Sequence, residues 1–226
     1  MKSNTFFVTG TDTDAGKTYV SQALLHGLKQ LKFQVFGFKP IAAGVDETGL
    51  NADARGLQRA SSKLLPYTQI NPILFQEPCA PHLAGDINQN QLSAWIQSLA
   101  HIEADYCLIE GAGGWLLPIS ATTYLADIVQ QHQWPVVLVV GMKLGCLNHT
   151  MLTFRELQRS GVPVIGWVAN QIDAHMLKFD ENLADLTARL PIPRLAVLAY
   201  QPQGATASQT LQLAESFLKA YQARQS

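Results

Sequence analysis

The sequence predicts an α/β fold: a doubly wound, mostly parallel sheet flanked by helices. Three observations predict it. Strand-like apolar runs alternate with segments of helical periodicity along all 226 residues. Several runs are apolar on both parities, as in Val-Val-Leu-Val-Val at 136–140, which means burial on both faces. The first run ends in a glycine-containing loop that opens straight into an amphipathic helix.

The strand-like runs are 5–9, 34–39, 106–110, 136–140, 164–169 and 195–199. After the first, residues 17–31 place Val20, Leu24, Leu25, Leu28 and Leu31 at helical spacing. Residues 92–104, 124–132, 149–159 and 177–190 carry the same periodicity, and a final helix is expected over 207–223. Residues 42–90 break the alternation and read as loops with one short helix near 53–61. Long irregular stretches in such folds often carry function.

With 47% hydrophobic residues the chain can bury a substantial core, and one domain over 1–226 is expected. Sixteen basic against 17 acidic side chains give a net charge of −1, so neither a nucleic-acid partner nor an anionic membrane surface is expected. The run 136–140 is too short to span a bilayer. No charged and apolar leader precedes the first strand, so none is expected. Cys79, Cys107 and Cys146 form no C-x-x-C pair, which argues against a zinc or redox site and fits a reducing cytoplasm. All three read as small buried apolar residues, Cys107 above all.

Residues 6–19 read FFVTGTDTDAGKTY. A strand runs into Gly10, and Gly16-Lys17-Thr18 opens a helix, the context of a phosphate-binding P-loop. Successive backbone N–H groups curl around phosphate oxygens there, and the helix N-terminus adds partial positive charge. Lys17 can reach the terminal phosphates and the Thr18 hydroxyl can ligate Mg²⁺. Five residues separate Gly10 from Gly16 where the usual spacing is four.

Mg²⁺ prefers hard oxygen ligands. Glu110 ends a strand, where a parallel sheet faces its ligand crevice, and the glycines after it, Gly111, Gly113 and Gly114, let a backbone approach a phosphate or substrate. The alternative is a solvated strand-end carboxylate. Asp53 reads equally as a metal-shell residue or a helix cap. Lys39 ends the second strand, pointing at the same crevice or simply at water. Asn148 reads as the N-cap of the helix after Gly141, a second anion site or an ordinary cap.

Together these residues resemble dethiobiotin synthetases, the ATP-dependent ring-closing enzymes of biotin synthesis. The resemblance spans about residues 6–170. It rests on Val-Thr-Gly-Thr-Asp-Thr at 8–13 with Gly-Lys-Thr at 16–18, on Lys39-Pro40 with Ala42 and Gly44, and on Asp53-Ala54 and Pro81-His82. It continues through Glu110-Gly-Ala-Gly-Gly114, Leu144-Gly145-Cys146, Asn148-His149 and Val168-Ala169-Asn170. The long P-loop spacing is itself a feature of that family. The resemblance implies a homodimer that uses ATP and Mg²⁺ to convert 7,8-diaminononanoate and carbon dioxide (or bicarbonate) into dethiobiotin, ADP and phosphate.

It also implies roles. Asp14, Ala15, Gly16, Lys17, Thr18, Tyr19, Glu110 and Asn170 would contact the nucleotide, Lys17 as phosphate clamp and Asn170 as adenine reader. Thr18, Asp53 and Glu110 would form the Mg²⁺ shell, Lys39 would stand beside carbamate and γ-phosphate, and Thr13 would meet the substrate's nitrogen end. Ala43 and Gly113 would line the substrate, and Gly145, Cys146, Leu147 and Asn148 would receive its carboxylate from the partner subunit. The chain departs from many relatives at Ala43, where they carry Ser, at Asp14, where some carry Glu, and over 198–202, which lacks a proline near 199.

Other classes share a P-loop. A partition- or targeting-type ATPase would carry an extra lysine early in the loop, where this chain has Thr11-Asp12-Thr13. An amide-forming ligase acting on a corrin-type carboxylate would need a glutamine-hydrolysing domain, for which 226 residues leave no room. A non-enzymatic nucleotide-binding scaffold would have no use for Lys39, Asp53 and Glu110.

Overall fold

The computed structural model describes residues 4–201 and 203–224. Pro202, in the segment that departs from the family pattern, lies outside the described residues. In chain order the elements are β1 (Asn4–Gly10), α1 (Lys17–Gln30), β2 (Val35–Phe38), β3 (Ile41–Ala43), α2 (Ala52–Ala60), α3 (Tyr67–Ile70), β4 (Ile73–Phe75), α4 (Pro81–Ala84) and α5 (Gln89–Ser98). There follow β5 (Tyr106–Glu110), α6 (Leu125–His132), β6 (Val136–Met142), α7 (Cys146–Arg159), β7 (Val164–Gln171), α8 (Phe179–Arg189), β8 (Arg194–Leu198) and α9 (Ala207–Gln222).

Six strands form one sheet in the order β2-β5-β1-β6-β7-β8, and every pairing in it is parallel. The double-parity apolar runs have their cause in its two covered faces. In β6, Val137 and Val139 face a core built with Leu24, Leu28 and Phe217 of α1 and α9. Val136, Leu138 and Val140 face the opposite core, with Val129, Phe154, Leu157 and Leu186 of α6, α7 and α8. A one-sided sheet would have left one set in water. The helices α1 and α9 approach so closely that a Cβ on Gly27 would lie 2.0 Å from the Thr210 carbonyl oxygen. No helix of the described residues is long and apolar enough to cross a membrane.

All six expected strands are present, and the structure corrects three expectations. Residues 42–90 hold more than one short helix: β3 and β4 pair as a second, two-stranded parallel sheet, and α3 and α4 are single turns. Asn148 is not an N-cap. The helix begins at Cys146, because Gly145 takes the left-handed conformation (φ 91°) and its carbonyl accepts from His149 N at 3.2 Å. Cys79 is exposed, in the loop before α4, while Cys107 and Cys146 are buried.

Candidate active site

Strand β1 is central, flanked by β5 and β6. From β1 the chain runs through α1 to β2 on one side, and from β5 it crosses through α6 to β6 on the other. Connections diverging in this way leave a crevice at the carboxyl ends of the strands. The loop 11–16 occupies it. Its first turn is pinned to β6, with Thr11 N donating to Val139 O (3.0 Å) and Gly141 N donating to Thr11 Oγ1 (3.3 Å). Asp12 accepts from Thr13 N and pairs with Lys143 at 3.3 Å, which together outweigh its partial burial and lower its pKa. At the end of the loop, Gly16 is left-handed (φ 84°), and a Cβ there would lie 2.0 Å from Asn170 Nδ2. Any other residue there would be strained in its backbone and would displace the Asn170 amide.

Lys17 opens α1, is 7% exposed, and donates to the Asp12 carbonyl at 3.0 Å. Burial pushes its pKa down and the charge of Lys39 adds to that, against the opposing pull of nearby carboxylates. One residue on, Thr18 Oγ1 donates to Glu110 Oε1 at 2.7 Å. Lys39 Nζ donates to the same oxygen at 2.7 Å and pairs with Asp53 Oδ2 at 3.3 Å. For Lys39, burial favours the neutral amine, but Glu110 and Asp53 outweigh it and raise the pKa. Glu110 is fully buried, and among the described residues its other oxygen, Oε2, has no hydrogen-bond partner. Asp53 lies in the first turn of α2 but does not cap it: Asn51 does, accepting from Ala54 N at 3.1 Å.

A crevice of about 710 Å³ opens over these groups, with Thr13, Lys17, Thr18, Lys39, Asp53 and Gly113 in its wall. Asp14, Gly16 and Ala43 also line it, while Glu110 lies behind, reached through Thr18 and Lys39. Residues 78–81 line the crevice too; of these the sequence pointed to Pro81 through the family pattern and to Cys79 only as a buried apolar residue. A smaller hollow of about 240 Å³ shares Gly16 with the crevice and is lined by Tyr19, Asn170, Gln171, Ile172, Tyr200 and Gln201 among others. Asn170 Nδ2 donates to Ala15 O at 3.0 Å, fastening the end of β7 to the loop. Ala15 itself is buried. Residues 171–172 were missed as wall residues, while 199–201 belong to the segment 198–202 singled out for its departure from the family pattern. For 171–172 the signal was position alone, at the carboxyl end of β7. Gly145, Cys146, Leu147 and Asn148 line neither space.

The donors fit Mg²⁺. They are hydroxyl and carboxylate oxygens from Thr18, Glu110 and Asp53, and the unpartnered Oε2 of a buried Glu110 is what a cation would satisfy. Among the described residues no cluster of three or more His, Cys, Asp or Glu side chains forms a complete metal cage. Few protein ligands beside a phosphate loop suit an ion that keeps water and binds substrate phosphates.

Residues 4–208 match the AAA domain family. A solved plasmid partition protein from Borrelia burgdorferi, bound to AMPPNP, shares the fold over 99% of this chain and 100% of its own, with a TM-score of 0.57 but 10% identity. The ATP-dependent dethiobiotin synthetase BioD of Pseudoalteromonas translucida is 48% identical over 206 residues, 88% of this chain and 91% of that one. The corresponding BioD 1 of Escherichia coli K12 is 43% identical over 94% of this chain and 99% of its own. Identity of that size, running nearly end to end in both proteins, places the chain in the ATP-dependent dethiobiotin synthetase family.

Proposed function

We propose that the chain is an ATP- and Mg²⁺-dependent cyclo-ligase that makes dethiobiotin from 7,8-diaminononanoate and carbon dioxide. The observation that carries this reading is the buried cluster at the floor of the crevice. There one carboxylate oxygen, Glu110 Oε1, takes hydrogen bonds from both Thr18 at the P-loop and Lys39 at the end of β2. A nucleotide-only switch has no need of a lysine at this place, after β2 and against Glu110. A reaction that brings a carbamate against a γ-phosphate does, because the two anions repel.

One amine of the substrate adds to carbon dioxide and loses a proton, giving a carbamate. A carbamate oxygen attacks the γ-phosphorus, and ADP leaves. The neighbouring amine then attacks the carbonyl carbon, the C–O bond to phosphate breaks, a proton departs, and the ureido ring closes. No side-chain nucleophile is required, since the substrate supplies both nitrogens. This chain's part is to position reactants and neutralise charge.

Lys17 steadies charge on the β–γ bridge, Lys39 holds carbamate beside γ-phosphate, and Thr13 with Gly113 orients the amines. Ala43 lines the substrate without offering a hydrogen bond. Thr18, Asp53 and Glu110 would hold Mg²⁺, which would supply positive charge to offset that of the phosphates. The loop from Asp14 to Thr18 carries the phosphates. The hollow beside Tyr19 and Asn170 has the right neighbourhood for the base. The working form is read as a homodimer in the cytoplasm, in which Gly145, Cys146, Leu147 and Asn148 of one subunit anchor the substrate carboxylate of the other. Supplying ATP, Mg²⁺, isotopically labelled bicarbonate and 7,8-diaminononanoate tests the reaction. Labelled dethiobiotin by mass is expected, and ATP hydrolysis without labelled product overturns it.

A further inference from the structure

We propose that Tyr67 is a positioning residue, whose hydroxyl sets the distance between Lys39 and Asp53 from outside the crevice. The proposal rests on the reading of those two residues as working parts of the site. The linkage is a closed circuit. Both backbone groups of Lys39 are held by the end of α3: Lys39 N donates to Ile70 O at 2.9 Å, and Lys39 O accepts from Asn71 Nδ2 at 2.7 Å. Asn71 is 2% exposed, and its amide also donates to Ile73 O at 3.1 Å. Two carbonyls on one side fix the amide's orientation, so Oδ1 must face the other way, toward Tyr67.

Tyr67 hydroxyl lies 2.9 Å from that oxygen and 2.9 Å from Asn51 N. A backbone N–H can only donate, so the hydroxyl accepts from Asn51 and gives its own proton to Asn71. Asn51 in turn caps α2 through Ala54 N and ties Gly44 O through Nδ2 at 2.9 Å. Two residues into that helix stands Asp53, paired with Lys39 Nζ at 3.3 Å. One hydroxyl therefore grips the backbone beneath Lys39 by way of Asn71 and the helix start beneath Asp53 by way of Asn51. Elsewhere α2 packs directly on β2, with Gly37 N donating to Ser61 Oγ at 3.0 Å at the far end of the helix, so the hydroxyl acts on the ends that carry Lys39 and Asp53.

The test is Tyr67→Phe, which removes one oxygen and keeps the ring, assayed well below each variant's unfolding temperature. Turnover should fall about tenfold, the scale of a sub-ångström misplacement at a reacting centre. The Mg²⁺ concentration for half activity should rise. In an Asp53→Asn background the same Tyr67→Phe change should leave the Mg²⁺ requirement where it was, because the carboxylate it positions is gone. Equal shifts in both backgrounds overturn the proposal in favour of a general structural role. A crystal structure of Tyr67→Phe reads the geometry independently of any role for Asp53. Lys39 and Asp53 should have parted beyond ion-pair distance, and an unchanged pair overturns the proposal. If Asp53→Asn alone leaves the Mg²⁺ requirement unaltered, the metal role of Asp53 fails, and the crystal structure still decides for Tyr67.

Discussion

Lys39 Nζ and Glu110 Oε1 stand 2.7 Å apart, with Lys39 5% exposed and Glu110 not exposed at all. A pair so dry is costly to break, since removing one partner strands the other charge in a medium that cannot solvate it. Lys39→Ala should therefore destabilise the ligand-free protein by about 3–5 kcal/mol. Adding ADP with Mg²⁺ should narrow that gap in thermal unfolding, because a cation beside Glu110 replaces the lost charge. The variant should still bind ATP with Mg²⁺ yet form little dethiobiotin. Loss of nucleotide binding in step with turnover would place Lys39 in the nucleotide site instead.

Lys17 titrates in the opposite sense. Burial lowers its pKa before nucleotide arrives, and phosphate oxygens beside it favour the ammonium and raise it. Binding thus takes up protons wherever the free lysine has begun to lose its own. Nucleotide affinity should fall as pH rises through the lowered free-enzyme value, and hold constant below it. Calorimetry across alkaline pH, in buffers of differing ionisation enthalpy, measures that proton uptake directly. Lys17→Ala should abolish the dependence and cut turnover by about two orders of magnitude or more. A folded variant turning over normally excludes the clamp.

Asp53→Asn and Glu110→Gln keep shape and remove charge. Each should raise the Mg²⁺ concentration needed for half activity more than it alters nucleotide affinity measured without metal. The Glu110 change should have the larger effect, because Glu110 is wholly buried while the Asp53 side chain is about half exposed and screened by water. Titrations of both variants that overlay the parent protein would leave Asp53 as only a first-turn residue of α2.

Much of this is legible in the sequence. The strand boundaries alone bring Gly10, Lys39 and Glu110 to one edge of the sheet, because the carboxyl ends of parallel strands share an edge. What was not legible has physical reasons. The strand Ile41–Ala43 is three residues long and follows Lys39-Pro40 without a turn, so it shows no period of its own. Asn51 and Asp53 are both good caps, and only the geometry of the turn decides that Asn51 takes the bond. Asn148 looked like a cap because its type is favoured there, but Gly145 reaches a left-handed turn that starts the helix earlier. Asn71 and Tyr67 gave no signal at all, since their meaning lies in bonds to a backbone 32 residues away in sequence and to a helix cap.

The last prediction is that each active site needs two chains. The crevice over Lys17 and Lys39 contains no residue from the start of α7, yet the substrate has amines at one end and a carboxylate at the other. The amine end must lie against the γ-phosphate, so its carboxylate needs an anchor farther off. The first turn of α7 offers a left-handed glycine, the N–H groups of a helix start, and the exposed Asn148. Leu144, just before that turn, and Leu152, farther along α7, are 94% and 61% exposed, apolar area that a second copy would cover. A two-fold axis beside the crevice would let each chain lend this turn to its partner. Two inactive variants test the arrangement: Lys17→Ala, and a second carrying Leu144→Asp with Asn148→Asp, whose new carboxylates should repel the substrate's own. The exposed Leu144 is the better target than Leu147, which packs against the core. Mixed in equal amounts and allowed to exchange subunits, half the dimers should be mixed, each with one intact site. About a quarter of the parent activity should return under random pairing. If mass measurements verify exchange and no activity returns, the carboxylate is anchored within a single chain.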